Sequence, residues 1–139
     1  MRLTGDPIQL EQLLATVSGP GRGGTCVFLG TVRDDGGPGD VVAIAYSAYE
    51  AMAERELDAM LAEVRERWPE SRVAVQHRLG LVPVGEASIA IVAAAPHRAE
   101  AFAACRYVIE EVKRRLPVWK REMRRDGTVV WVNPEGQPA

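Results

Sequence analysis

The chain is poor in lysine. Of its 17 Lys and Arg residues, only Lys113 and Lys120 are lysines. Lysine differs from arginine in that it can lose its proton and serve as a base or a nucleophile. Two lysines close together, in a chain that otherwise uses arginine for positive charge, are therefore candidates for chemistry. An arginine-rich composition with two chance lysines explains the count equally well, so the count alone does not decide.

Cysteine, long apolar runs and excess charge are also scarce, and each scarcity excludes a class of protein. Cys26 and Cys105 are too few for a disulfide framework, so a reducing cytoplasm is expected. The longest apolar run, residues 87–95, falls far short of the roughly 20 residues that span a membrane, and no secretory signal is visible. The net charge of -2 argues against nucleic acid or an anionic membrane as a partner.

The 139 residues, 47% of them hydrophobic and 26% charged, have the length and balance of one globular domain. Residues 1–133 are assigned to that domain, and residues 134–139 are predicted to form a flexible C-terminal tail. Charge is unevenly spread, because residues 97–125 hold nine Lys and Arg against four acidic residues. A basic segment inside an acidic chain indicates a local anion site.

The hydrophobic pattern predicts an α+β fold. Helices are predicted at residues 8–18 (capped by Asp6 and Pro7), 51–68 and 97–116. Strands are predicted at residues 25–32, 41–49, 72–79, 87–94 and 128–132. A turn is predicted at residues 80–85, and residues 118–125 are left open as an extended arm. This irregular order of helices and strands indicates a mainly antiparallel sheet packed by helices.

The helix at residues 97–116 carries candidate anion-binding groups. On a helical projection, Arg98 falls within the apolar stripe that includes Phe102, and Lys113 lies near its edge, so both cations are expected to lean inward. His97 and Arg98 also lie at the start of the helix, where free backbone N–H groups favour an anion such as phosphate. The alternative is a structural ion pair of Arg98 and a surface position for His97.

Lys120 and Arg33 are the other candidate binding groups. Lys120 follows the helix, and a chain that folds back toward Lys113 would bring two cations together and lower a lysine pKa. Arg33 leaves a strand and enters a glycine-rich loop, from which its forked donor can bind a phosphate or a heterocycle carbonyl. The alternatives are a solvated surface lysine and a plain hairpin loop.

No metal or cofactor site is predicted. His77 and His97 do not form a zinc-ligand spacing with the two cysteines, Cys26 and Cys105, which are expected to lie in the core. A catalytic Ser-His-Asp arrangement cannot be argued, and the glycine-rich loop lacks the ending of a phosphate-binding P-loop.

An ordered set of segments resembles a known family. The segments are residues 28–34, 46–50 with 52, 67–69, 77–80, 85–86, 97–102 and 113–122. Each segment alone is weak evidence. The ordered set, with a lysine on either side of Pro117 and Trp119, resembles the MoaE family, the large catalytic subunit of molybdopterin synthase. The resemblance spans roughly residues 5–133, nearly the whole chain.

The resemblance implies an α/β hammerhead fold and a homodimer that forms a heterotetramer with two small subunits. The small subunit of that family is ubiquitin-like and ends in a Gly-Gly tail bearing a thiocarboxylate. The family reaction transfers two sulfurs to cyclic pyranopterin monophosphate and so makes the dithiolene of molybdopterin, a step of molybdenum cofactor biosynthesis. The resemblance implies no metal or cofactor for this step.

Roles for individual residues are also implied by the resemblance. Lys113 and Lys120 match the catalytic lysines. The positions that match substrate-binding residues are Thr31, Val32, Arg33, His97, Arg98, Lys120, Arg121 and Glu122. Two departures from the family pattern bear on loop closure and substrate detail: Ser47 replaces a usual Glu, and Gly-Gly-Pro-Gly at residues 36–39 replaces a segment that often holds Asn.

Two other functions are compatible with these residues. A dimeric receptor would bind a ubiquitin-like tail without performing chemistry, and a small α+β domain would bind a phosphometabolite or RNA. The joint presence of both lysines with Arg33, His97 and Arg98 favours the enzyme. The acidic net charge and the lack of aromatic residues interleaved in the basic segment disfavour RNA.

Overall fold

The structure, a computed structural model, describes residues 2–34 and 40–132. The helices in these ranges are α1 (Leu10–Val17), α2 (Glu50–Arg67) and α3 (Arg98–Arg115). The strands are β1 (Leu3–Thr4), β2 (Gly24–Thr31), β3 (Val41–Ala48), β4 (Arg72–Arg78), β5 (Gly80–Pro83), β6 (Ala87–Ala95), β7 (Val118–Arg124) and β8 (Val129–Val132). The predicted tail at residues 134–139 lies outside the described residues.

The strands form two four-stranded sheets. The first sheet has the strand order β1-β4-β6-β2, and the second has the order β5-β3-β7-β8. The short β1 pairs with β4 in parallel, and the other strand pairings are antiparallel. The predicted α+β class and mainly antiparallel pairing are therefore confirmed, whereas the expectation of one sheet is wrong.

Two segments that the pattern did not assign to strands build much of the second sheet. Residues 80–83, predicted as a turn, form β5 and pair with β3. Residues 118–124, left open as an arm, form β7 between β3 and β8. Gly80 has a φ of +90°, which glycine tolerates, and this conformation redirects the chain from β4 into the second sheet. The glycine and proline signals were therefore real, but they mark the ends of a short strand.

β6 contributes residues to both hydrophobic core clusters. All of its residues after Ala87 are buried, as expected for an apolar run covered on both faces. On one face, Ile91 belongs to the large core cluster that α2 and α3 share. On the other face, Val92 and Ala94 pack against Val17 of α1 in a smaller cluster. This packing fixes α3 against the first sheet and so fixes the positions of both its ends.

The buried face of α3 differs from the predicted stripe. It consists of small and medium side chains, namely Ala101, Ala104, Cys105, Val108 and Val112. Phe102 is 61% exposed, and Arg98, the first helical residue, is exposed as well. The expectation that Arg98 leans inward is wrong for the single chain, because the helix packs on β2 and β6 through the face beside it.

The N-terminus of α1 also differs from the prediction. α1 begins at Leu10, two residues later than predicted, and its N-cap is Gln9. Asp6 does not cap it, because the helix begins four residues further along the chain. Within the described ranges, no helix is long and apolar enough to span a bilayer.

Candidate active site

An open pocket of about 450 Å³ lies at the C-terminal end of α3, between β2 and the second sheet. Six residues predicted for a site line this pocket, namely Thr31, Val32, Arg33, Lys113, Lys120 and Glu122. Three of the six are cations and one is a carboxylate, so positive charge is in excess. The structure therefore brings the two scarce lysines of the sequence into one cavity, called the lysine pocket below.

The last turn of α3 carries Lys113 into the pocket. Lys113 shares this turn with Arg114 and Arg115, and the negative end of the helix dipole favours all three cations. Arg114 and Arg115 both pair with Glu111, at 2.5 and 3.0 Å. Arg115 also bonds Glu63 of α2, at 2.7 Å. The arginines are thus engaged in ion pairs on the helix surface, whereas Lys113 lines the pocket.

β7 carries Lys120, which is half-buried and lies opposite Tyr46 of β3 in the strand register. Burial lowers the pKa of Lys120 below its ordinary value, the charge of Lys113 lowers it further, and the carboxylate of Glu122 opposes both effects. The two lysines therefore interact across the pocket. Lys120 gives up its proton more readily than an ordinary lysine does.

The alternation of β7 divides the remaining predicted residues between its two faces. Glu122 faces the pocket with Lys120, and its Oε1 accepts a hydrogen bond of 3.0 Å from Arg124. Arg121 projects from the opposite face, where its guanidinium carbon lies 5.6 Å from the ring centroid of Trp131. Within the single chain, Arg121 is therefore not brought to the pocket.

The end of β2 is anchored at the pocket by backbone hydrogen bonds. The N–H of Val32 donates to the carbonyl of Glu86 at 3.0 Å, and the N–H of Gly85 donates to the carbonyl of Val32 at 2.8 Å. The Glu86 carboxylate in turn accepts a bond of 2.8 Å from Arg78 at the end of β4. These bonds fix the point at which Arg33 leaves the sheet.

Arg125 holds both described ends of the loop that follows Arg33. Its side chain lies 3.2 Å from a carboxylate oxygen of Asp34, and its backbone N–H donates to the carbonyl of Asp40 at 2.7 Å. The family departure at residues 36–39 lies outside the described residues. The departure at Ser47 lies in β3, at an exposed position that pairs with Trp119, and it does not line the pocket.

His97 and Arg98 lie at the other end of α3. Arg98 and Lys113 are separated by 15 residues, which corresponds to about 22 Å along the helix axis. Both His97 and Arg98 are exposed, and His97 borders a separate pocket of about 160 Å³ with Trp68. The single chain therefore does not unite the predicted phosphate-binding pair with the two lysines.

Hydroxyl groups of the pocket were missed by the sequence analysis. Tyr46 and Ser88 line it, and Ser88 donates a hydrogen bond of 3.3 Å to the carbonyl of Gly30. The alternation of residues along β3 was the available signal, because Tyr46 faces the same side as Ile44. That signal could not be used without the pairing of β3 with β7, a segment left unassigned.

A buried histidine lies next to the pocket. His77 packs edge-to-face against Tyr46, with ring centroids 5.2 Å apart. Its Nδ1 lies 2.9 Å from the carbonyl of Arg78, so Nδ1 carries the hydrogen. Burial lowers the pKa of His77 to about 4; the bond to Arg78 opposes this shift, and the charges of Lys113 and Lys120 add to it. His77 is therefore neutral at neutral pH.

The described part of the chain holds no group of three or more His, Cys, Asp or Glu residues placed to bind a metal ion. The pocket instead combines excess positive charge, one carboxylate and a lysine of lowered pKa. Such a set binds an anion and exchanges protons with it. The fold and the site therefore define an α+β protein with a cationic pocket suited to an anionic ligand.

Comparison with known sequences places the chain more narrowly. The family model described as MoaE protein matches residues 3–115. The chain is 43% identical over 131 residues to molybdopterin synthase catalytic subunit 1 of Mycobacterium tuberculosis, which covers 94% of this chain and 88% of that protein. It is 41% identical over 134 residues to the molybdopterin synthase catalytic subunit of a Nostoc species, covering 94% and 80%. The chain belongs to the MoaE family.

A solved structure supports the same placement. The crystal structure of molybdopterin synthase from Staphylococcus aureus superposes with a TM-score of 0.88 at 32% sequence identity. The match covers 94% of this chain and 94% of that one. The two-sheet α+β architecture is therefore shared over nearly the whole chain.

Proposed function

We propose that this chain is the catalytic subunit of a molybdopterin synthase that acts in the cytoplasm. In this proposal, a ubiquitin-like small subunit delivers sulfur as a C-terminal thiocarboxylate, and two sulfurs are inserted into cyclic pyranopterin monophosphate to give molybdopterin. The observation that carries the proposal is the convergence of Lys113 and Lys120 in one pocket. Membership of the MoaE family supports it.

The charge of the pocket suits both reactants. A thiocarboxylate tail and a cyclic phosphate are anions, and Arg33, Lys113 and Lys120 provide three cations around one cavity. Holding two anions side by side requires such charge, because their mutual repulsion would otherwise keep them apart. The cations therefore bring the sulfur close to the pterin carbon that it attacks.

The lowered pKa of Lys120 suits the proton transfers. As the thiocarboxylate sulfur bonds to a pterin carbon, oxygen must leave that carbon and take up a proton. Water then cleaves the bond between the sulfur and the acyl carbon of the tail, which is released as a carboxylate. A lysine whose pKa is lowered by burial and by Lys113 passes between its charged and neutral forms nearer to neutral pH. We assign the proton exchange to Lys120 and the placement of the anionic tail to Lys113.

The proposed homodimer accounts for His97 and Arg98. β2 is an edge strand of the first sheet, and its residues Val27, Phe28 and Leu29 are 41%, 37% and 43% exposed. An edge strand with exposed apolar residues is ready to pair with another strand. We propose that β2 of one copy pairs with β2 of a second copy.

Twofold pairing of identical strands is antiparallel, and this geometry completes the pocket. Centred on Phe28, it would place Gly24 of one copy beside Val32 of the other. Gly24 abuts the start of α3, since a Cβ there would lie 3.0 Å from the backbone nitrogen of Arg98. His97 and Arg98 of one copy would thus approach the lysine pocket of the other, where their cationic and donor groups would bind the substrate phosphate.

The decisive experiment mixes the protein with a thiocarboxylated small subunit and cyclic pyranopterin monophosphate. The expected result is a dithiolene product, with two thiocarboxylates consumed for each pterin. A protein that binds the small subunit tightly yet forms no product would instead be a receptor. Binding of neither the small subunit nor the pterin would overturn both readings.

A further inference from the structure

Tyr46 is a pocket residue for which the proposed function has no task. It lines the lysine pocket, yet only 7% of its surface is exposed. Its Cα lies opposite that of Lys120 in the β3–β7 register. Side chains at opposed positions project to the same face with Cβ atoms about 5 Å apart, so the Tyr46 and Lys120 side chains enter the pocket as neighbours.

The ring of Tyr46 is held in place by His77. His77 packs against it at 5.2 Å with an interplanar angle of 71°. His77 is itself fixed by the bond from its Nδ1 to the carbonyl of Arg78. The phenol hydroxyl is therefore a rigidly placed group, which is the condition under which a hydrogen bond to a reacting atom lowers a barrier most.

The hydroxyl of Tyr46 remains protonated at neutral pH. Burial raises the pKa of Tyr46, the neighbouring Ser88 side chain opposes this, and the charge of Glu122 adds to the rise. A protonated phenol donates a hydrogen bond but does not act as a base. The pocket thus contains a neutral donor beside its cations.

We propose that the Tyr46 hydroxyl is a catalytic group that contacts the substrate. It donates a hydrogen bond to the pterin oxygen that leaves as sulfur adds, on which negative charge develops. This proposal rests on the proposed function of the pocket. A neutral donor suits that task because it stabilises the developing charge without binding the anionic reactants more tightly before the reaction. The ring alone, without its hydroxyl, would serve only packing.

Tyr46→Phe tests the proposal, since it keeps the ring and its contact with His77. We expect turnover to fall about 10- to 100-fold, the range for loss of one hydrogen bond to a charged group. The KM for the pterin and the affinity for the small subunit should change less than about twofold. Tyr49→Phe is the matched control, because Tyr49 is 69% exposed and lies outside the pocket; it should leave turnover unchanged.

A second measurement does not depend on turnover. The chain has three tyrosines, so labelling tyrosine with ¹³C at Cζ gives three signals that Tyr→Phe variants assign. Addition of cyclic pyranopterin monophosphate should shift the Tyr46 signal and leave that of Tyr49 in place. Full turnover by Tyr46→Phe, or an unmoved Tyr46 signal with bound pterin, would overturn the role of Tyr46. A wild-type protein that makes no dithiolene would overturn the proposed function instead.

Ser88→Ala provides a further check on the same group. If Ser88 acts through the Tyr46 hydroxyl, the variant should slow turnover by a smaller factor than Tyr46→Phe. The double variant should then be no slower than Tyr46→Phe alone, because both changes act on one group. Independent, multiplying effects would show that the Tyr46 hydroxyl is not the group through which Ser88 acts.

Discussion

The two ends of α3 are built differently. At the C-terminal end, Lys113 lines a pocket whose other walls come from β2, β3, β6 and β7. At the N-terminal end, His97 and Arg98 are exposed beside a much smaller cavity. The first end is thus assembled by contacts within one chain, whereas the second presents its groups outward. A single chain therefore contains both halves of the predicted site without joining them.

The largest effect is expected at the assembled end, from Lys113→Ala. Sulfur transfer should fall by at least about 10³-fold, since the variant loses the cation that places the anionic tail. Lys113 is exposed, so the thermal midpoint should stay within a few degrees of wild type. Arg114→Ala is the matched control, because it removes the neighbouring cation outside the pocket. Product formation at the wild-type rate would remove Lys113 from the mechanism.

Lys120 should contribute somewhat less, and its variants separate charge from proton exchange. Lys120→Ala should slow product formation by about 10²-fold. Lys120→Arg keeps the charge but cannot release a proton at neutral pH, so it should stay nearly as slow while still binding the small subunit. Stopped assays of dithiolene formation at several pH values would measure both. Recovery of the rate in Lys120→Arg would assign Lys120 a purely electrostatic task.

A smaller effect is expected at the exposed end. Arg98→Ala should weaken binding of the pterin about tenfold, the loss expected for one phosphate contact, and leave binding of the small subunit unchanged. Titration calorimetry with each ligand separately measures the two affinities. If only the binding of the small subunit were weakened, Arg98 would contact the small subunit and not the substrate phosphate.

Mixing two impaired variants, with the pterin kept well below its Kd so that Arg98→Ala is also slow, tests directly whether the two ends meet across a dimer. When Lys113→Ala and Arg98→Ala proteins exchange subunits, half of the dimers are mixed, and each mixed dimer has one intact pocket. The mixture should therefore recover about a quarter of the wild-type activity of a twofold dimer with shared pockets. Pockets contained within single chains would give no recovery above the average of the two variants.

The sequence predicted the site best where a rare residue type coincided with regular secondary structure. Lys113 could be placed because α3 is long and periodic, and its end falls within one residue of the prediction. Lys120 was flagged by the lysine count, but its strand was not assigned, because β7 lies in a sheet whose partners are distant in sequence. Cross-strand register is a tertiary property, so the neighbours of Lys120, including Tyr46, could not be predicted.

At the exposed end, the helix pattern predicted the wrong packed face. A stripe drawn through Phe102 placed Arg98 inward, yet the packed face is formed by alanines and valines beside it. Periodicity identifies an apolar face without saying whether this chain or another copy covers it. Phe102 is exposed on α3, the helix that contacts the edge strand β2, and such exposure is what a face covered by a second copy would show.

The last prediction concerns stability rather than activity and again distinguishes the assembled end. The unfolded chain protonates His77 below a pH of about 6.5, whereas the folded chain does so only below about 4. Between these values the unfolded state binds more protons, so stability falls as the pH falls. From this one group, the wild type should lose about 2 kcal/mol of unfolding free energy between pH 7 and pH 5.

His77→Gln isolates that contribution, because glutamine can donate to the carbonyl of Arg78 but does not titrate. Its unfolding free energy, measured with urea at pH 7, 6 and 5, should fall less than that of the wild type by the same amount. Parallel curves would mean that the imidazole is not buried in its neutral form beneath Tyr46. The Tyr46 ring of the lysine pocket would then lack its rigid packing partner, which distinguishes the assembled end of α3 from its exposed one.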